Sequence, residues 1–143
     1  MYPQARVFIK TALGLLLAAM ALGALLLINT GLQVHPWIGL FVPVYYHLLM
    51  LGWATQLIGG VALWMFPPFT RERPRGDERL GWIAYAGLNG GLLLRLVVEP
   101  LQAIQPSPWS RWGLVAAAGL HVAAIWALVI ALWPRVKGRA RTT

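Results

Sequence analysis

The fold is decided by the stretch VPVYYHLLMLGWATQLIGGVALWMFPPF, residues 42–69, an apolar run long enough to cross a lipid bilayer. Similar apolar runs occur along the chain, and together they predict helices over residues 7–28, 40–66, 80–101 and 112–133. The 143-residue chain is 59% hydrophobic and 11% charged, too apolar for a soluble domain of this length. We therefore predict an all-α, polytopic membrane protein in which residues 1–143 form one four-helix transmembrane bundle.

The basic residues are unevenly distributed along the chain. Ten of the twelve lysines and arginines lie around the start of the first predicted helix, in the 67–79 connection or after the last helix. The positive-inside rule then places both termini and that connection in the cytoplasm. We expect the protein to be integral to a prokaryotic-type inner (cell) membrane. The membrane topology thus explains the net charge of +8. The expected partners are the lipid bilayer and, for the basic tail, anionic lipid headgroups. No nucleic acid is expected as a partner.

Four ionisable side chains fall inside the predicted spans: His47, Arg95, Glu99 and His121. Charged and titratable groups are costly in hydrocarbon and are functional candidates for that reason. His47 follows Trp37 by ten residues and His121 follows Trp112 by nine, which places both imidazoles about 14–15 Å below the same interface if each helix is continuous. Gln56, Asn89 and Gln102 are weaker candidates, because hydrogen bonds between helices can satisfy them.

Arg95 and Glu99 are separated by one helical turn and share a face with Gly91 and Gln102. One interpretation is an intrahelical ion pair that neutralises itself. In another, Arg95 binds an anionic ligand such as a haem propionate while Glu99 orients its side chain. In a third, Glu99 belongs to a path for protons.

Two histidines on helices of a four-helix bundle favour a haem site, because neutral imidazole is a usual ligand of haem iron. We predict non-covalent haem b with His47 and His121 as iron ligands. Cysteine is absent, so covalent c-type attachment, thiolate-held iron–sulfur clusters and disulfides are excluded. Gly59 and Gly60 are expected to leave room for a flat macrocycle, and Trp53 is a further candidate contact. Zinc sites need more ligands than this interior supplies.

The segment HLLMLGWATQLIGGVALWMFP, residues 47–67, resembles the second transmembrane helix of the catalytic subunit of haem–copper oxidases and nitric oxide reductases. His47, the pair Gly59 and Gly60, Trp64 and Pro67 match the positions of that motif. The resemblance implies that His47 is an axial ligand of a low-spin haem in the outer half of the membrane. The family subunit has twelve helices in three arcs, so it also implies that this four-helix chain assembles as a three-fold ring, a homotrimer.

The chain departs from the family where copper would bind. It contains no pair of adjacent histidines, and its second helix carries His47 alone, so no copper site is expected. The second haem ligand is then His121, from the same or a neighbouring protomer, or the iron is left open to a quinol or a diatomic gas. The function we predict is electron transfer by a b-type haem protein, with no catalytic residue assigned. The alternatives are a cofactor-free membrane scaffold or assembly protein, and a small oligomer that conducts protons or ions.

Overall fold

Four long helices make up the part of the chain that the computed structural model describes, residues 2–70, 72–73 and 76–136. Each is long and apolar enough to cross a membrane, which confirms the four predicted spans. We label them α1 (Pro3–Leu32), α2 (Pro36–Met65), α3 (Glu78–Ile104) and α4 (Pro108–Leu132, followed by a 3₁₀ turn at Trp133–Arg135).

The bundle is built from two antiparallel helix pairs, α1 with α2 and α3 with α4. We call the end at which α1 begins and α4 ends the basic end, and the opposite one the far end. The main apolar core lies towards the basic end and consists of Ala5, Phe8, Leu63, Ala84, Leu88, Ala124, Ala127 and Leu128. Small residues let the helices approach closely there, since a Cβ added at Gly87 would lie 2.9 Å from the Cβ of Ala124. The Gly87-x-x-x-Gly91 spacing therefore serves packing within one chain.

Amide side chains connect the helices where the bundle is apolar. Gln56 on α2 and Asn89 on α3 donate to each other's carbonyl oxygens over 3.2 Å in both directions. Gln102 accepts a hydrogen bond from the hydroxyl of Ser110 at the start of α4. These contacts confirm that the three amides are satisfied between helices, where no water would replace a lost partner.

Helix α2 changes its winding three times along its length. It begins as a 3₁₀ helix (Pro36–Phe41), continues as an α-helix (Val42–His47), widens to a π-helix (Leu48–Thr55) and returns to an α-helix (Gln56–Met65). π-helical segments are rare and are frequent at functional sites. Thr55 stabilises the wide segment by donating its hydroxyl to the Met50 carbonyl at 2.7 Å, five residues earlier. The regular hydrophobic pattern of residues 42–69 gave no sign of this change.

Arg135 closes the basic end of α2 from the end of α4. Its guanidinium donates to the carbonyl oxygens of Phe66 at 2.7 Å, Pro67 at 3.0 Å and Leu63 at 3.1 Å. The last carbonyls of a helix have no partner within the helix, and a cation placed there also interacts favourably with the helix dipole. Only 5% of Arg135 is exposed, so water cannot substitute for the guanidinium.

We expect Arg135→Ala to destabilise the protein by about 1–3 kcal/mol, because it leaves buried carbonyl groups without donors. The stability of Arg135→Lys should lie between that of the wild-type protein and that of Arg135→Ala, because one ammonium group cannot span three carbonyls as a guanidinium does. Thermal unfolding in detergent measures the effect, with Arg111→Ala at an exposed position of α4 as the control. Equal melting temperatures for Arg135→Ala and Arg111→Ala would contradict this role.

Candidate functional site

The four ionisable side chains singled out by the sequence lie together near the far end of the bundle. Glu99 forms an ion pair with Arg95 and lies 4.0 Å from the Nδ1 of His47. The rings of His47 and His121 are nearly parallel, with planes 12° apart and centroids separated by 6.4 Å. Three helices contribute, α2, α3 and α4, and we call these four residues the polar cluster. The two imidazoles are thus neighbours across the bundle, and their depth below a membrane surface stays a prediction.

The polar cluster holds polar atoms that are buried without a hydrogen-bond partner among the described residues. They are the Nε of Arg95, the Oε2 of Glu99 and the Nε2 of His121. Buried polar groups in proteins are almost always paired, so each such atom calls for an explanation such as a water molecule, an ion or a ligand. The polar cluster contains three such unpaired atoms, and it is therefore the best candidate site in the part of the chain that the structure describes.

The imidazole of His47 is fixed by the backbone of its own helix. Its Nδ1 lies 2.8 Å from the carbonyl oxygen of Pro43, one turn earlier. A carbonyl oxygen can only accept, so Nδ1 carries the proton and Nε2 of the neutral ring keeps its lone pair. Metal-ligating histidines in proteins typically have this arrangement, in which the second nitrogen is tied to a carbonyl or carboxylate. The side chain is 30% exposed, so it is open at the flank of the bundle.

His121 is held differently, against the backbone of α3. Its ring lies on Gly91, where a Cβ would overlap the Nε2 and Cδ2 atoms. Only 7% of the residue is exposed. A glycine at position 91 is thus what gives the imidazole its space in the interface between α3 and α4. Its Nε2 is not open to an iron atom unless the ring turns.

The helices around the polar cluster depart from regular α geometry. The π-helical segment of α2 begins directly after His47. In α3, Pro100 follows Glu99 within the helix. Proline has no N–H to donate to the carbonyl of Leu96, so a backbone hydrogen bond is missing next to the ion pair. Both departures lie where helices carry ionisable groups, and neither lies within the apolar core.

Three further candidates, Trp53, Gly59 and Gly60, lie elsewhere along α2. Trp53 belongs to the π-helical segment and is partly buried. A Cβ added at Gly59 would lie 2.9 Å from the Cδ2 of Leu128, and one at Gly60 would lie 2.8 Å from the Cβ of Phe8. The space beside the two glycines is therefore filled by side chains of α4 and α1, so in this structure they serve helix packing.

An apolar cavity is lined by Leu48 and Leu96, the sequence neighbours of His47 and Arg95. It is a groove of about 580 Å³ lined by α1, α2 and α3, and His47 is not among its lining residues. Its polar contribution comes from Asn89, whose amide is already paired with Gln56. The groove is thus almost entirely apolar. Among the described residues, no three histidine or carboxylate side chains form a group that could hold a metal ion alone.

No protein-family model, no curated protein and no solved structure matches the chain. The resemblance of residues 47–67 to the haem–copper oxidase helix consequently depends on that segment alone. The polar cluster provides an independent reason to consider the same histidine.

Two features of the site were missed by sequence reasoning. The role of Pro43, whose carbonyl fixes the His47 ring, was not predicted. Its position four residues before a histidine was the available signal, because that spacing brings a side chain next to a carbonyl of its own helix. The contact of Gly91 with His121 was not predictable, because it depends on how α3 and α4 pack.

We expect Gly91→Ala to destabilise the protein by about 1–3 kcal/mol, because the added methyl group overlaps the His121 ring. Gly90→Ala is the matched control: its Cβ would have only Leu120 within reach, at 3.9 Å. The double variant Gly91→Ala/His121→Ala should recover most of the loss, since the clashing ring is gone. Thermal unfolding in detergent of these variants measures the coupling between positions 91 and 121. If Gly91→Ala were as stable as Gly90→Ala, the contact would not exist.

Proposed function

We propose that the protein is a membrane b-type haem protein that transfers electrons, with His47 as the axial ligand of the iron. The observation that carries the proposal is the hydrogen bond from His47 Nδ1 to the Pro43 carbonyl. In the neutral ring it leaves the lone pair on Nε2, and the ring is held in place and partly exposed. Neutral imidazole in this tautomer is what haem iron requires of a protein ligand.

Other members of the polar cluster suit the periphery of a haem. Arg95 has a buried Nε without a partner among the described residues, and such a donor suits a propionate carboxylate. Glu99 neutralises the Arg95 charge in the apolar bundle and stands 4.0 Å from His47 Nδ1. Bound haem would supply one-electron redox chemistry, which these side chains do not have. The role of His121 as the second iron ligand stays a prediction, because its Nε2 faces Gly91.

The assembly and orientation we propose come from the sequence. The four helices of this chain equal one of the three arcs of the family subunit, and this number, together with the resemblance of residues 47–67, supports a homotrimer. The distribution of the basic residues supports cytoplasmic termini, in a membrane that we propose to be a prokaryotic-type inner membrane. With His47 as sole ligand, the iron keeps an open position for a quinol or a diatomic gas. The proposal includes no copper, because the chain lacks paired histidines.

The test is haem binding by purified variants produced with ample haem supply. His47→Ala should abolish the reduced-minus-oxidised b-type spectrum, because the iron loses its protein ligand. His35→Ala is the matched control: this exposed histidine accepts a hydrogen bond from the Trp37 N–H at the start of α2 and is remote from the polar cluster along the helix. A low-spin spectrum that His121→Ala converts to high spin would assign the second ligand.

An unchanged spectrum in His47→Ala would overturn His47 as ligand. Wild-type protein that stays colourless would overturn the haem proposal itself. Native mass measurement of the same sample gives the number of chains and haems, and a mass other than three chains would contradict the ring.

A second candidate function, proton transfer, is favoured by the carboxylate at the centre of the polar cluster. The Oε2 of Glu99 is buried and has no partner among the described residues, and His47 Nδ1 stands 4.0 Å from its Oε1. Carboxylates and imidazoles in contact inside membrane bundles are the usual elements of proton paths. This candidate requires no haem.

For this candidate we expect Glu99→Gln to reduce proton flux into vesicles containing the purified protein, because an amide cannot carry a proton. Glu72→Gln, in the exposed connection before α3, is the matched control and should leave the flux unchanged. Flux in wild-type vesicles equal to that in protein-free vesicles would eliminate the candidate. If the protein neither binds haem nor conducts protons, the cofactor-free scaffold is the remaining candidate function.

A further inference from the structure

A second cavity lies at the basic end of the bundle, remote from the polar cluster. It has a volume of about 590 Å³ and lies between the connection after α2, the start of α3 and the end of α4. Two arginines, Arg73 and Arg79, form part of its lining, with the carboxylate of Asp77 between them in sequence. Its remaining walls are largely apolar and include Leu80 and Ile130. We call it the basic cleft.

The connection that carries Arg73 is folded by its own hydrogen bonds. The Thr70 hydroxyl accepts from the Arg73 N–H at 2.9 Å, and the Gly76 N–H donates to the Arg73 carbonyl at 3.2 Å. Gly76 has a φ of 67°, a backbone conformation that favours glycine. The turn therefore places Arg73 at a defined position on the wall of the basic cleft.

The single carboxylate of the basic cleft already has a structural role. Asp77 caps α3, because its Oδ1 accepts from the backbone N–H of Arg79 at 2.9 Å. The guanidinium groups of Arg73 and Arg79 both belong to exposed residues, and their two charges exceed the one negative charge of Asp77. The lining is thus cationic on its polar side.

The apolar wall continues into the surface that faces hydrocarbon in a membrane. Ile130 is 52% exposed on α4. Trp82 and Trp133, which are 45% and 76% exposed, stand near the ends of α3 and α4 that border the cleft, where aromatic residues mark the boundary between lipid and water. A soluble anion would contact only the arginines, whereas a lipid would use both the charge and the apolar wall.

We propose that the basic cleft binds the headgroup of an anionic phospholipid. Arg73 and Arg79 contact the phosphate, and an acyl chain lies along Leu80 and Ile130. Basic pockets between transmembrane helices at a membrane surface bind anionic lipid headgroups in this way. The inference is independent of haem binding, because the cleft shares no residue with the polar cluster.

The test is native mass spectrometry of the protein after delipidation and exchange with phosphatidylglycerol or phosphatidylcholine. Wild-type protein should retain one phosphatidylglycerol per chain and no phosphatidylcholine. Arg73→Gln/Arg79→Gln should weaken phosphatidylglycerol binding about 30-fold, at roughly one decade of affinity for each 1.4 kcal/mol and about 1 kcal/mol for each arginine. The matched control, Arg6→Gln/Lys10→Gln, removes two exposed charges from the same end outside the cleft and should weaken phosphatidylglycerol binding clearly less than the cleft variant does.

A further variant tests the sign of the charge effect. Asp77→Asn keeps a residue that caps helices well, while it removes the negative charge from the cleft, so it should tighten phosphatidylglycerol binding. Equal losses in the cleft and control variants would overturn a specific site in favour of general surface attraction. Displacement of the lipid by inorganic phosphate alone would overturn the lipid in favour of a free anion.

Discussion

The ion pair between Arg95 and Glu99 is the constraint on which the far half of the bundle depends. The side chains of Arg95 and Glu99 are only 17% and 10% exposed, and they carry opposite charges between largely apolar helices. A buried charge without its partner costs several kcal/mol, so each residue is tolerated only while the other is present. The neighbouring helices bring His47 and His121 to this pair, and the cluster still leaves polar atoms unpaired among the described residues.

Stability and chemistry are divided between the two ends of the molecule. The apolar core and the Arg135 cap lie towards the basic end, where helices pack closely through small residues. The polar cluster lies towards the far end, next to a π-helical segment and a proline within α3. A bundle that is rigid at one end can hold a costly arrangement at the other, as functional sites in proteins commonly require.

The four helices were predictable because they follow from hydrophobic length. The orientation of each imidazole was not, since it depends on tertiary contacts. Gly91 makes room for His121. Gly59 was expected to make room for haem, but the space beside it is occupied by the side chain of Leu128. The role of Arg135 also depends on which helix end comes to lie beside it.

The central claim is that His47 holds a haem through the nitrogen that Pro43 leaves free. The absorption spectrum of the wild-type protein, purified after production with ample haem, tests it most directly. We predict a b-type spectrum that sharpens on reduction with dithionite and accounts for one haem per chain. A folded, colourless protein that takes up no added haem would contradict the claim.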